Sequence, residues 1–74
     1  MKPYGNLSGD SGITDYEIGP DFIRVRFKSQ ETYTYDYRKP GPGAVERMKT
    51  FATSGRGLST YISGFVKDQY SSKA

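Results

Sequence analysis

Residues 22–28, Phe-Ile-Arg-Val-Arg-Phe-Lys, set Ile23, Val25 and Phe27 in alternation with Arg24, Arg26 and Lys28. A strand turns successive side chains to opposite faces, so this segment predicts a β-strand with one apolar and one cationic side. Burying the three cations without partners costs too much for both faces to lie inside a core. The apolar side must be covered by the rest of the chain, and the cationic side left outside. After the polar connection Ser29-Gln30-Glu31, the alternation returns in Tyr33-Thr34-Tyr35-Asp36-Tyr37. So short a link joins residues 22–28 and 32–37 as an antiparallel hairpin. A slip of one residue would carry the whole set of tyrosines to the other face. The register that suits both polar sets places Tyr33 and Tyr35 with the aliphatics, and Thr32 and Thr34 with the arginines. The tyrosines then complete the core with hydroxyls reaching its rim, and Tyr37, at the strand's end, stays partly exposed.

Residues 13–18 predict a preceding strand with Thr14, Tyr16 and Ile18 on one side, closed by the turn Gly19-Pro20-Asp21. Lys39-Pro40-Gly41-Pro42-Gly43 ends the sheet. Beyond it, Ala44, Val45, Met48, Phe51 and Ala52 share one helical face, and Gly55 stops the helix. Leu58, Tyr61, Ile62 and Phe65 repeat the spacing for a second, shorter helix, while the pattern leaves residues 65–70 open between helical and extended. The expected fold class is α+β: a three-stranded antiparallel β-meander followed by two helices packed on one face. The expected organisation is a flexible lead-in over residues 1–12, rich in Gly and Ser, one domain over 13–70, and a frayed C-terminus over 71–74.

A chain of 74 residues has a small core, and with no cysteine or histidine it lacks disulfides and the commonest metal ligands. Seven tyrosines and four phenylalanines must supply the buried mass. Without His or Cys, acid–base work would fall to carboxylates, Lys or Tyr, and no paired-carboxylate, metal-ligand or phosphate-loop spacing is present. Asp15, Glu17 and Asp21 cluster around a turn and read as solvated. The expectation is a non-enzyme with no cofactor and no metal. The absence of cysteine, of a long apolar run and of an apolar leader suggests a cytoplasmic protein that does not enter a membrane.

The formal net charge of +3 is unevenly spread. Residues 24–56 hold eight basic side chains against three acidic, and the remainder is net acidic. Arg24, Arg26 and Lys28 recur every ~7 Å along one strand face, a spacing that suits successive phosphates. Arg38 and Lys39 follow the third strand. Arg56, between Gly55 and Gly57 just ahead of a helix start, suggests an anion site on free backbone amides. These six residues are the candidate nucleic-acid contacts. The plainer explanation of the strand's cations is a solvated outer face, which also discourages edge aggregation.

Several segments together resemble the KTSC domain, a small module found at the C-terminus of some lysyl-tRNA synthetases and as free-standing bacterial proteins. They are Ser11-Gly12-Ile13 with Tyr16, Arg24-Val25-Arg26-Phe27 ahead of Tyr33-Thr34-Tyr35, Ala52-Thr53-Ser54-Gly55 with Gly57-Leu58 and Tyr61-Ile62, and Lys67-Asp68-Gln69-Tyr70. The resemblance spans residues 11–70. It departs in the longer Lys39–Gly43 connection and in Ser59, where many members have Asn. It implies an α+β domain of undefined role and, through the company of a tRNA synthetase, RNA as a partner. The alternative is a protein-interaction module that uses an exposed sheet edge for strand addition, or its C-terminal aromatic residues.

Overall fold

The computed structural model describes residues 1–7, 9 and 12–74. Its sheet is antiparallel throughout and five-stranded, in the order β1 (Lys2–Pro3), β2 (Ile13–Ile18), β3 (Phe22–Phe27), β4 (Thr32–Asp36) and β5 (Ser72–Lys73). Helix α1 (Pro42–Ser54) follows β4, and α2 (Leu58–Tyr61) runs straight into a π-helical turn, Ile62–Val66. The protein is therefore α+β, with two more strands than the meander read from the sequence.

The central hairpin pairs Ile23 with Tyr35 and Val25 with Tyr33, and Arg24 with Thr34 and Arg26 with Thr32. Residues directly opposite share a face, so the tyrosines join the aliphatics. Ile23, Val25 and Tyr35 meet Val45 and Met48 of α1 and Leu58 of α2 in the core, all six without solvent exposure. Tyr37 keeps 39% of its surface exposed. The Tyr35 hydroxyl departs from expectation: it is buried short of the rim and has no protein partner.

In β2 the pairing shifts between Ile13 and Asp15, which face Phe27 and Arg26. This bulge brings both Ile13 and Tyr16 into the core, although strict alternation would oppose them. Of the predicted face of Thr14, Tyr16 and Ile18, the last two keep their side, opposite Val25 and Ile23, and Ile13 takes the place of Thr14. Ile18, opposite Ile23 at the strand's end, remains 40% exposed.

Both terminal segments belong to the fold, which corrects the lead-in and the frayed end in their described parts. Tyr4 is buried; its N–H donates to the Thr14 carbonyl at 3.0 Å and its ring meets Tyr16 edge-on. Leu7 N–H donates to the Gly55 carbonyl at 2.7 Å. At the other end Tyr70 stacks on Tyr33, with centroids 4.8 Å apart and planes 6° from parallel. Ser71 N–H donates to Thr34, and Thr32 and Ala74 exchange backbone bonds. One ring anchors each segment, and backbone pairing does the rest. Tyr70→Ala, which removes a stacked pair and the cover over β4, is expected to cost about 2 kcal/mol. Urea denaturation measures it, and an unchanged midpoint would show that the tail contributes nothing.

Pro42 stands at the start of α1, where its missing N–H is harmless. Gly55 ends the helix at φ 80°, its N–H reaching the Phe51 and Ala52 carbonyls. A Cβ there would also press on Leu7 and the Gly5 backbone at 3.3–3.4 Å. In the second helix Leu58, Ile62 and Val66 are buried, and Phe65, expected on the core face, is 71% exposed. The π turn is the reason. Its wider coil adds a residue to the turn, so Val66 takes the inward position and Phe65 swings out.

Candidate nucleic-acid interface

The outer sheet face is less cationic than β3 alone suggests. The β2–β3 register sets Glu17 opposite Arg24 and Asp15 opposite Arg26. Arg24 Nη1 lies 3.1 Å from Glu17 Oε1, and Arg26 Nε 3.4 Å from Asp15 Oδ2. Arg24 also covers the Phe22 ring, its Cζ 4.9 Å from the centroid. That ring lies so close over Gly19 that a Cβ would fall 2.0 Å from it, so any larger residue there would displace the ring. Asp15 and Glu17 are thus cross-strand partners of the arginines, and Glu17 is solvated as well. The signal was present in the sequence as two acids at i and i+2 facing two bases at i and i+2 across a tight turn.

The remaining candidates are scattered. Lys28 is exposed at the β3–β4 hairpin end, its N–H donating to the Gly12 carbonyl at 2.8 Å. Arg38 and Lys39 are exposed at the opposite end of β4, where their N–H groups donate to Asp36 Oδ1 at 2.9 and 3.0 Å. Arg56 sits in the α1–α2 turn, in the helical layer on the other side of the sheet. Of the amides expected to form an anion site there, Leu58 N–H is taken by the Tyr4 hydroxyl at 3.4 Å. The six residues do not make one patch. Lys28, Arg38, Lys39 and Arg56 have no ion pair among the described residues, whereas Arg24 and Arg26 do.

Two further charge clusters fasten elements together. Tyr37 O–H donates to Glu46 Oε2 at 2.7 Å, and Lys49 pairs with the same carboxylate at 2.8 Å while donating to the Pro20 carbonyl. Lys49, then Tyr37, holds the Glu46 carboxyl below its usual range, and the bond to Glu46 pushes the Tyr37 phenol up. At the other end Lys73 pairs with Glu31 at 2.9 Å and lies over the Tyr33 ring, whose O–H donates to Glu31. Both clusters tie a strand end to its neighbour.

A surface cleft of about 460 Å³ opens between the β1–β2 edge and the end of α1, lined by Met1, Lys2, Tyr16, Glu17, Ile18 and Thr53. Its titratable groups of opposite sign are Lys2 and Glu17, and Glu17 is already engaged by Arg24. Among the described residues no group of three or more His, Cys, Asp or Glu side chains could hold a metal, and no helix is long and apolar enough to cross a membrane. Compared with protein families, curated proteins and solved structures, the chain matches none.

Proposed function

We propose that the protein is a non-enzymatic binding module for single-stranded nucleic acid, RNA in the first instance, of the KTSC type and acting in the cytoplasm. The observation that carries this reading is charge left over after internal pairing. Lys28, Arg38, Lys39 and Arg56 are exposed and have no ion pair among the described residues. Arg24 acts second, because its exposed pair with Glu17 is worth only ~0.2–1 kcal/mol and exchanges a carboxylate for a phosphate at small cost. Arg26, whose Nε is buried beside Asp15, contributes least. Strand addition of a protein partner is the less favoured reading. Each outer edge of the sheet is a strand of two residues, Lys2–Pro3 or Ser72–Lys73, and short edges with Pro and Lys resist pairing.

Because these cations are spread over the sheet ends and the helical layer, a strand that engages all four must wrap the domain. Four phosphate contacts then give a slope of log K against log salt of roughly −3. Fluorescence anisotropy of labelled oligouridine across salt measures it. Lys28→Gln or Arg38→Gln is expected to make the slope shallower by about 0.7, and Arg24→Gln to change it less. No binding at low salt would overturn the proposal.

A further inference from the structure

The helical layer carries a feature that the cation inventory does not absorb. Phe51, Tyr61 and Phe65 form a continuous row of rings, with centroids 5.3 Å apart for the first pair and 5.0 Å for the second. Tyr61 and Phe65 are stacked, their planes 21° from parallel, and Phe65 is 71% exposed. The row therefore ends in a ring face open to solvent. Gly57 makes it possible from below: a Cβ there would stand 3.1 Å from the Phe51 ring.

The stretch of chain that carries the row is mostly cationic, with Glu46 and Asp68 just outside it. Residues 47–67 contain Arg47, Lys49, Arg56 and Lys67 and no Asp or Glu. Lys49 is held by Glu46, while Arg47, Arg56 and Lys67 have no ion pair among the described residues. Arg56 precedes α2 and Lys67 follows the π turn, so the two cations bracket the segment that bears Tyr61 and Phe65. Lys67 also holds φ 44° and ψ −112°, in a tight turn closed by Gln69 N–H on the Val66 carbonyl. Glycine suits that conformation better, so a lysine there places charge at some expense of backbone strain.

We propose that Phe65, backed by Tyr61 and Phe51, is a stacking platform for a base of single-stranded nucleic acid, with Arg56 and Lys67 meeting the flanking phosphates. The proposal rests on the nucleic-acid reading above and gives it a place for the bases. An open flat ring between two cations that have no ion pair among the described residues, with Asp68 the one nearby acid in sequence, complements a polyanion with flat bases. One exposed ring offers about 200 Å² at most, against the upwards of about 1,000 Å² that a stable protein interface buries.

The test is anisotropy titration of the full chain with oligouridine and oligothymidine side by side. Phe65→Ala is expected to weaken both on the order of tenfold, with the salt slope unchanged, because stacking uses the base and not the sugar or phosphate. Lys67→Gly is expected to keep or raise the thermal midpoint while making the slope shallower by about 0.7. The chain has no tryptophan, so Phe65→Trp supplies a single reporter whose emission should fall as a base stacks on it. Wild-type binding with Phe65→Ala equally tight, or Phe65→Trp emission unmoved, overturns the platform and leaves the nucleic-acid reading standing. Failure of the wild type to bind either strand removes both.

Discussion

Tyr35→Ala is expected to unfold most of the population at room temperature, and Tyr35→Phe to lose nothing and gain up to about 1 kcal/mol. Tyr35 is the largest side chain with no solvent exposure and packs between Ile23 across the sheet and Tyr70 edge-on above it. Truncating a buried aromatic ring costs about 3–5 kcal/mol through lost transfer energy and the cavity left behind. At roughly 0.05–0.15 kcal/mol per residue, a domain of this size has little more than that to lose. The hydroxyl is a separate matter. It is buried with no protein partner, so removing it deletes a desolvated polar group while the ring stays. Burial, followed by the neighbouring Tyr33 and Tyr70, pushes the phenol's pKa above its ordinary value. A raised folded-state pKa means that this stability is fully present below pH ~10 and lost as the pH climbs beyond it. Urea denaturation from neutral to alkaline pH should show Tyr35→Phe flatter than wild type above that point. A phenylalanine variant clearly weaker than wild type at neutral pH would mean that the hydroxyl has a partner worth more than its burial.

The central hairpin was legible because two constraints act on it together. Arg24 and Arg26 cannot be buried unpaired, and a strand offers only two faces, so the place of Tyr33 and Tyr35 follows from that of their neighbours. Helix α1 was legible for the same kind of reason, with enough turns to repeat its period and with Gly55 to stop it. Elements without a period were not. Lys2–Pro3 and Ser72–Lys73 are each two residues long, held by backbone pairing that leaves no mark in the order of side chains. The bulge in β2 and the π turn each add one residue to a repeat, and each moved a ring or aliphatic to a face the regular period denies it.

The candidate site was half legible for a related cause. A run of basic residues shows where charge sits along the chain, not what faces it across a sheet. Asp15 and Glu17 neutralise Arg26 and Arg24 only because the β2–β3 turn brings them opposite. Phe65 was assigned inward by the i+7 spacing from Leu58, and its outward swing opens the surface from which the stacking site is inferred.

Tyr4→Ala is expected to cost about 3–4 kcal/mol, as much as truncating a ring in a central strand. Residues 1–7 show no hydrophobic period, yet the Tyr4 ring is only 6% exposed and lies edge-on to Tyr16 at 6.4 Å. Its hydroxyl receives the N–H of Leu58, one of the first amides of α2, which no intrahelical carbonyl can satisfy. The ring therefore closes the core under β1 and caps the second helix at once, and Leu7 extends the closure by donating to Gly55 at the end of α1. Tyr4→Phe separates the two roles. It keeps the ring, leaves the Leu58 amide without its acceptor, and should cost about 1 kcal/mol. Thermal and urea denaturation of both variants measure the pair. A dispensable lead-in predicts changes within about 0.5 kcal/mol for each, as for any surface substitution. That outcome would detach β1 from the fold and leave α2 to be held by Leu58, Ile62 and Val66 alone.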